Sequence, residues 1–480
     1  MAPLLEALLP VGVRHRQLSV RTLLLGMLLC QADHRPAHLT RVHEALLALA
    51  EADRVRLGVT VAWRRGPHTL TYRQVERTFS LVVGVLAKDR PDGAPTEALQ
   101  GVLDAVLEAS VAPSADASSA LAVDWTDLES FSTRRTKSDG NYADQEAAWG
   151  HRKGGGPGEK DELFFGYYLS LATMVGDPEP VAELVRRMNL VGCRHDPVPA
   201  MVEVLVAMFA RVAPGDVVCD SGYAHRLPAR FALPLRAAGA SLVIDLHPHD
   251  RGTQGTHQGA IAWNGNLFCP ATPRALFELQ PLARGASDKE VAAHDQKVAE
   301  LSRYKLGRVS ADDHDGHHRV ACPAAMGKLR CALRPASMTG TFDRPEVLDP
   351  PTGPPACCSQ QTITVAPSVN QKTAQRHDYL SKPWRRSYAR RSAVERSNAR
   401  VKDPATVDVA RGWCRLMGLV PMSLFVCCAL AVRNLDVADA FDARRAEDRR
   451  REEQGLAPRR RRRRRTTIQD LVATSANAPP

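Results

Sequence analysis

The chain has 480 residues, a hydrophobic share of 44% and a formal net charge of +11. This composition is that of a soluble globular protein long enough for two to four domains with a sizeable core. The eleven cysteines are odd in number and irregularly spaced, which indicates reduced thiols in a cytoplasm and excludes a disulfide framework. The positive charge favours an acidic partner, and nucleic acid is the first candidate because Arg and Lys neutralise phosphate.

No stretch of the sequence predicts export or a membrane anchor. The N-terminal LLEALLP segment lacks a basic region and a small-residue cleavage site, so we predict no signal peptide. The longest apolar run, 416–432, is 17 residues long and contains Pro421. That length favours a buried core helix over a membrane span. We therefore expect a cytoplasmic protein without a membrane partner.

Residues 1–110 are predicted to form an all-α N-terminal domain. Apolar residues recur at helical spacing over 21–29, 39–50 and 72–86, and Thr71 is placed to cap the third helix. Short helices in a basic protein are compatible with a helix-turn-helix that binds DNA ends. A plain helical bundle that only packs on the catalytic core explains the same pattern.

Residues 111–248 are predicted to form the first part of an α/β core, because short apolar strands alternate with helical segments. The runs 120–124 and 216–220 each predict a buried strand that ends in an acid. The remaining predicted elements are an aromatic strand or hairpin over 162–175, helices over 180–188, 200–212 and 227–238, and a strand over 240–246.

Residues 249–384 have a different composition, dominated by Gly, Pro, His and Cys, and are predicted to be a loop-rich or small β-rich insertion. Its thiols and imidazoles could bind zinc. The absence of a CxxC pair makes buried free thiols the simpler interpretation. The residues concerned are Cys269, Cys322, Cys331, Cys357, Cys358, His317 and His318. Upstream, His247 and His249 follow a predicted strand and are interpreted as ordinary loop histidines.

Residues 385–440 are predicted to close the core with helices, and residues 441–480 to form a disordered basic tail. The tail contains seven consecutive arginines, 459–465. It is either a phosphate-binding arm, sensitive to salt and independent of sequence, or an incidental low-complexity extension.

The segment 387–403 carries an unusual set of polar residues. As one continuous helix, it places Tyr388, Arg391, Glu395 and Lys402 within an arc of about 60°. This face holds one acid, two cations and a phenol, with almost nothing apolar. It suits a carboxylate presented to a metal beside a polyanion, although a solvated helix face has the same composition.

Three acids are candidates for a metal site: Asp124, Asp220 and Glu395. Carboxylates that converge from strand ends and a helix can hold two Mg²⁺ ions, which prefer hard oxygen ligands. Asp127 and Asp245 compete for the same role, but a helix cap and a strand-end turn are the better interpretations for them.

The short sequence segments around these acids resemble the motifs of DDE transposases of bacterial insertion sequences. The first acid of that family lies in a strand of the form hydrophobic-Asp-x-Thr, which residues 121–126 match. The second lies in Asp-x-Gly-Tyr, matched by residues 220–223. The third lies, in one large group, in Y-x2-R-x3-E-x6-K, and residues 388–402 match all four spaced positions. The resemblance covers roughly 120–435.

The resemblance implies an α/β, ribonuclease-H-like core, interrupted by the insertion, in which Asp124, Asp220 and Glu395 are the catalytic, metal-binding acids. It implies Mg²⁺ as the cofactor, with Mn²⁺ as a substitute. The residues expected to contact DNA or support the site are Tyr388, Arg391, Lys402 and Tyr223.

The implied activity is that of a transposase. The enzyme would bind the inverted ends of its element as a homodimer, cleave a strand at each end, and join the freed 3′-hydroxyl to target DNA. Two alternatives are a metal-dependent endonuclease of the same fold without strand transfer, and an inactive, domesticated DNA-binding protein.

Overall fold

The computed structural model describes residues 2–10, 16–62, 66–88, 95–111, 117–132, 142–152, 160–283, 285–339, 343–405, 408–457 and 459 as a mixed α/β protein. The α-helices are α1 (Ala2–Leu8), α2 (Val20–Ala32), α3 (Leu39–Leu47), α4 (Glu51–Arg56), α5 (Tyr72–Ala87), α6 (Glu97–Val111), α7 (Pro197–Phe209), α8 (Ser221–Ala224), α9 (Ala232–Ala237), α10 (Asp288–Arg303), α11 (Pro335–Met338), α12 (Ala356–Ser359), α13 (Lys382–Tyr388), α14 (Ser392–Val401) and α15 (Leu419–Glu453). The strands are β1 (Thr60–Val61), β2 (His68–Thr69), β3 (Leu121–Glu129), β4 (Ala148–Arg152), β5 (Glu162–Met174), β6 (Val185–Gly192), β7 (Asp216–Cys219), β8 (Ser241–Ile244), β9 (Thr253–His257), β10 (Ala260–Trp263), β11 (Asn266–Phe268), β12 (Gly307–Arg308), β13 (His318–Ala321) and β14 (Ile363–Val365).

A six-stranded sheet forms the centre of the molecule. β5 pairs antiparallel with β3 along one edge. Along its other edge, the first part of β5 pairs antiparallel with β4 and the second part pairs antiparallel with β6. β3 then pairs parallel with β7, and β7 parallel with β8. The sheet therefore has four strands in antiparallel pairing, β4, β6, β5 and β3, followed by β7 and β8, which run parallel to β3, and α7 connects the two parts.

The strand β5 is continuous, so of the two expectations for 162–175 the single strand is correct. Gly166 allows this length, because a Cβ at that position would lie 2.1 Å from the carbonyl oxygen of Leu128 on β3. Any larger residue would push the two strands apart where they pair.

The helix predicted over 180–188 is wrong, because this segment leads into strand β6. Every residue of β6 is buried, including Arg186 and Arg187. Both arginines form ion pairs with Glu108 on α6, at 2.9 and 2.6 Å. Asn434 of α15 binds the backbone of Val185 through both atoms of its amide group. These long-range partners satisfy polar groups that would otherwise disfavour a buried strand.

The N-terminal helices share one hydrophobic core with α15 and one face of the sheet. The predicted helices over 21–29, 39–50 and 72–86 are confirmed as α2, α3 and α5, and Thr71 forms a capping box with Gln74 at the start of α5. The region is not all-α, because β1 and β2 form a two-stranded ribbon.

The closing helix α15 runs for 35 residues, from Leu419 to Glu453. Residues 441–453, predicted to begin a disordered tail, are therefore helical. Most of the arginine run, 460–465, lies outside the described residues. α15 is long and apolar enough to be a candidate membrane span, but 72% of its apolar window is buried inside the protein, as in a core helix.

The other face of the sheet is covered by α7, α8, α9 and α13, which form a second hydrophobic core. The helix predicted over 227–238 is present only in part, as a 3-10 turn at Pro228–Arg230 followed by α9.

Residues 249–384 contain two three-stranded antiparallel sheets, β11-β10-β9 and β12-β13-β14. They also contain α10, a helix that we did not predict. Ser287 and Glu290 form a capping box at its start, a sequence signal that could have revealed it. Two small apolar clusters form the interior of this region.

Candidate active site

Asp124 lies in the middle of β3, between β5 on one side and β7 on the other. The prediction that it ends its strand is wrong, because β3 continues to Glu129. Its side chain is mostly buried, and its Oδ1 accepts a hydrogen bond from the backbone N–H of Trp125 at 2.9 Å. The strand thus holds one carboxylate at the centre of the sheet.

Asp220 directly follows β7 and caps α8, as predicted for an acid at a strand end. Its Oδ1 accepts hydrogen bonds from the backbone N–H groups of Gly222 and Tyr223, at 2.9 and 3.4 Å. β7 runs parallel to β3 with Cys219 opposite Val123. The next residue on each strand is an acid, so the register brings Asp124 and Asp220 side by side.

Glu395 lies on α14, which packs against β3 and β5. The single helix predicted over 387–403 is wrong, because α13 ends at Tyr388 and a 3-10 turn, Ala389–Arg391, precedes α14. The motif therefore spans two α-helices and the 3-10 segment between them. Glu395 has half of its side chain exposed (51%) and forms an ion pair with Arg391.

The charges at the site act on one another. Burial and the neighbouring carboxylate of Asp220 raise the pKa of Asp124 to about 7, and Arg391 opposes this rise. Glu395 adds a smaller effect in the same direction as Asp220. A carboxylate whose ionisation is disfavoured by burial and by a neighbouring acid is stabilised by a cation placed beside it.

In this structure the guanidinium of Arg391 supplies part of that positive charge. One of its nitrogens lies 3.8 Å from Oδ2 of Asp124, and another bonds Glu395. Arg391 therefore links the first and third acids across the sheet–helix contact, and a fixed guanidinium can orient both carboxylates.

Asn398 belongs to the site and was missed by the sequence analysis. Its Nδ2 lies within hydrogen-bonding distance of Oδ2 of Asp124, at 3.4 Å, while its Oδ1 is buried without a hydrogen-bond partner. Asn398 follows Glu395 by three residues, so helical spacing alone could have placed it beside the acid. Its unsatisfied amide oxygen is a further hard donor at the site.

Lys402 does not point away from the protein. Its ammonium donates a hydrogen bond to Thr126 at 2.8 Å and lies 3.2 Å from a carboxylate oxygen of Asp127. Asp127 is not a helix cap, as was predicted, but a residue within β3 that also binds Arg152 at 2.5 Å. Against the effect of burial, Arg152 and Lys402 lower the pKa of Asp127. The negative charge of Asp127 is thus already balanced by Arg152 and Lys402.

The two tyrosines support the site in different ways. Tyr388 stacks on Trp384 with ring centroids 4.8 Å apart, and Arg391 lies over its ring at 5.8 Å. Tyr223 is fully buried (1% exposed) and packs on Trp125 with centroids 5.0 Å apart. A contact between Tyr223 and DNA is therefore excluded in this conformation, and its role is to position β3 and α8.

The donor set of the site suits Mg²⁺, because it consists of three carboxylates and an unpaired amide oxygen. Within the described residues, however, the tightest group of ligands lies elsewhere: His225, His247 and Asp250 have donor atoms all within 4.8 Å of one another. The ammonium of Lys372 lies 2.7 Å from a carboxylate oxygen of Asp250 and forms an ion pair with it. The three acids form a looser group, with Arg391 between two of them.

The other competing acid, Asp245, follows β8 at the strand end where it was predicted. Its carboxylate accepts hydrogen bonds from Tyr379 at 2.5 Å and from Arg251 at 3.1 Å. These partners fix the turn after β8, and Asp245 is engaged in holding that turn.

A basic groove of about 1030 Å³ adjoins the outer face of α14 and the C-terminal half of α15. More arginines than acids line it. Burial and the neighbouring charge of Arg433 lower the pKa of Arg400, as expected where cations cluster. The arginines that line the groove are Arg396, Arg400, Arg444, Arg445, Arg449 and Arg459.

The cysteines and histidines of the insertion are separated by the fold. His317 and His318 face the acids Asp313 and Asp312, at 3.8 and 3.2 Å. The five cysteines are buried free thiols. No joint site of the two residue types forms among them.

Comparison with protein-family models, with curated proteins and with solved structures finds no match to this chain.

Proposed function

We propose that this chain is a DNA transposase of the DDE type, which cleaves DNA at the ends of its element and transfers the strand to a target. The observation that carries the proposal is the meeting of the three motif acids. Asp124 and Asp220 are neighbours on parallel strands, and Glu395 reaches them through Arg391 from a helix more than a hundred residues downstream.

The strand order supports a ribonuclease-H-like core. Strands β6, β5 and β3 are antiparallel, β7 and β8 continue the sheet in parallel, and a helix connects the two parts. We take this order as support for such a core, because the first acid lies on the central strand β3 and the second directly follows its parallel neighbour β7. The insertion follows β8 and precedes the helix of the third acid.

In this proposal Asp124, Asp220 and Glu395 hold divalent metal, Mg²⁺ or Mn²⁺, and Asn398 offers a further oxygen. When bound, such ions activate the attacking oxygen and stabilise the leaving oxygen at a phosphodiester. Arg391 orients Glu395 through their ion pair. Lys402 and Arg152 hold Asp127, and so keep the far half of β3 in place beside the acids.

The basic groove supports a DNA substrate. Arg396 and Arg400 lie on α14, the helix that carries Glu395, and the groove continues along α15; Arg396 is itself paired with Glu183. Phosphates of a duplex bound there would be neutralised by arginines without reading of the bases. A homodimer on paired ends, associated with the nucleoid, is part of the proposal.

The test is Mg²⁺-dependent nicking of a duplex that carries the terminal inverted repeats taken from the DNA flanking the gene. The wild type is expected to nick at the element end, and Asp124→Ala, Asp220→Ala and Glu395→Gln to lose at least about 100-fold in rate. Glu300→Gln is the matched control, because Glu300 is an exposed acid on α10. Equal nicking by wild type and Asp124→Ala would refute the proposal.

The same assay separates transposition from plain cleavage. A transposase joins the freed 3′-end to a second duplex, which gives a longer, branched product. A nuclease of the same fold gives nicks and no joined product. An inactive DNA-binding protein gives neither, while still shifting the end-containing duplex in a gel.

A further inference from the structure

Four cysteines from separate segments of the insertion line one small cavity. Cys269 follows β11 and Cys322 follows β13, each directly after the last residue of its strand. Cys331 lies in the loop after β13, and Cys358 lies in α12. All four side chains are buried. No local spacing in the sequence links them, so their convergence is a property of the fold.

The cavity is small and lined by the four thiols; no three of their sulfur atoms lie within 4.8 Å of one another, so the side chains would close in to bind one ion. Its volume is about 10 Å³, close to the space of one small sphere. The side chains around the thiols are mainly apolar, among them Leu329 and Val347, and Arg334 is the charged residue of the lining. A water molecule in this cavity would be poorly stabilised, because few hydrogen-bonding partners surround it.

Arg334 gives a second, independent indication. Its Nε is buried and has no hydrogen-bond partner, although one of its terminal nitrogens binds the carbonyl oxygen of Gln360. A buried donor without a partner is costly and calls for an acceptor. A metal-bound thiolate is such an acceptor, and the guanidinium charge would offset the excess negative charge of four thiolates around a divalent ion.

The surrounding structure is of the kind that a metal stabilises. The region has two three-stranded sheets and two small apolar clusters, which is little core for its length. Small or loop-rich units commonly depend on a structural metal, and zinc is held in closed sites by four ligands such as Cys₄. The four cysteines would join the hairpin β10–β11, strand β13 and helix α12 at one point.

We propose that these four cysteines bind one structural zinc ion that holds the insertion together. The site is separate from the three acids, and the inference does not depend on the function proposed above. It reverses the interpretation of these residues as unrelated thiols, and it leaves out His317 and His318, which face acids elsewhere.

Cys357 provides a matched control within the same helix. It is also buried, and its sulfur lies 3.9 Å from that of Cys358. It does not line the cavity, however, and faces the turn between β9 and β10, where a Cβ at Gly259 would lie 3.5 Å from its sulfur. Replacement of Cys357 by Ser changes a buried thiol that contacts Cys358, and it leaves the four proposed ligands themselves in the chain.

The experiment measures the metal content of the full-length chain purified from zinc-supplemented cells. Elemental analysis is expected to find about one zinc per wild-type chain, about one in Cys357→Ser, and a loss of most of it in Cys358→Ser and Cys322→Ser. Cobalt substituted into the wild type is expected to show thiolate-to-cobalt charge-transfer absorption. A wild type without zinc, or equal zinc loss in Cys357→Ser and Cys358→Ser, would overturn the inference.

A measurement on the wild type alone covers the case in which ligand variants fail to fold. Removal of zinc by a chelator under reducing conditions is expected to lower the melting temperature and to make four additional thiols reactive to a thiol reagent. Re-addition of zinc should reverse both changes. If the chelator alters neither quantity, or if the cysteines are recovered as disulfides, the zinc site is refuted.

Discussion

The guanidinium of Arg391 lies 3.8 Å from a carboxylate oxygen of Asp124. The same side chain bonds Glu395, so one permanent cation spans two of the three motif acids. A divalent ion held by these acids would supply the same kind of charge in the same place. The relationship places a permanent cation against two of the acids, and it makes Arg391 the first residue to test.

Replacement of Arg391 by Ala is expected to destabilise the metal-free protein by about 1–3 kcal/mol, because buried Asp124 loses its nearest cation. Mg²⁺ should then stabilise the variant more than it stabilises the wild type. Thermal unfolding with and without Mg²⁺ measures both effects. Equal stabilisation of the two proteins by Mg²⁺ would separate Arg391 from the metal site.

The raised pKa of Asp124 predicts how stability depends on pH. Between its ordinary value of 3.8 and about 7, the folded protein retains a proton that the unfolded chain has lost, so stability falls as pH rises through this range. The full penalty, present above about pH 7, is roughly 4 kcal/mol. Asp124→Asn removes the charge and should raise the melting temperature of the metal-free protein more at about pH 8 than at about pH 5.

Asp127→Asn is the control for this prediction, because Asp127 lies on the same strand and its carboxylate is bound by Arg152 and Lys402. Loss of its charge removes a carboxylate partner from both cations, and Lys402 is affected most because Arg152 keeps Glu129 at 2.8 Å. It should therefore lower the melting temperature at about pH 8, the opposite of the effect of Asp124→Asn. A lower melting temperature in both variants would show that Asp124 is not the strained carboxylate.

Asn398→Ala should impair cleavage while binding of the DNA ends is retained. Asn398 contacts Asp124 and carries an unpaired buried oxygen, so it positions the acid and offers a donor to the metal. Partners of metal ligands typically account for 10–100-fold in activity or metal affinity, and a loss of about that size is expected. The Mg²⁺ concentration for half-maximal nicking should also rise. An unchanged Mg²⁺ requirement would reduce Asn398 to a packing role.

Arg444→Glu and Arg445→Glu test the basic groove as a DNA path. Both arginines are exposed on α15, and each lost phosphate contact should lower the slope of log affinity against log salt by about 1. Affinity for end-containing and unrelated duplexes should fall alike. Arg303→Glu, an exposed arginine of α10 outside this groove, is the control. If all three variants bind alike, the groove is not the DNA path.

The elements of the core that follow local rules were predictable. The run before Asp220 is short, apolar and followed by a polar turn, so the strand and its terminal acid were placed correctly. The strand of Asp124 was predicted too short, because its second half, from Trp125 onward, mixes polar and apolar residues. Polar residues are kept in that half by partners such as Arg152 and Lys402, which lie far along the chain.

The features that were missed depend on long-range contacts. Strand β6 looks helical in sequence, and its two arginines are explained by Glu108, which lies 78 and 79 residues away in sequence. Asn398 meets Asp124 across 274 residues. The cysteine cavity likewise draws on four segments with no shared motif. Local spacing carries no information about any of these pairings. The motif acids could be found because each lies in a recognisable short sequence motif.

The most direct test of the central claim, that Asp124, Asp220 and Glu395 form a divalent-metal site, is the anomalous scattering of a crystal soaked in Mn²⁺. The account predicts a peak bonded to carboxylate oxygens of Asp124 and Asp220, lost in the Asp124→Asn protein. A peak at His225, His247 and Asp250 with none at the acids would contradict it.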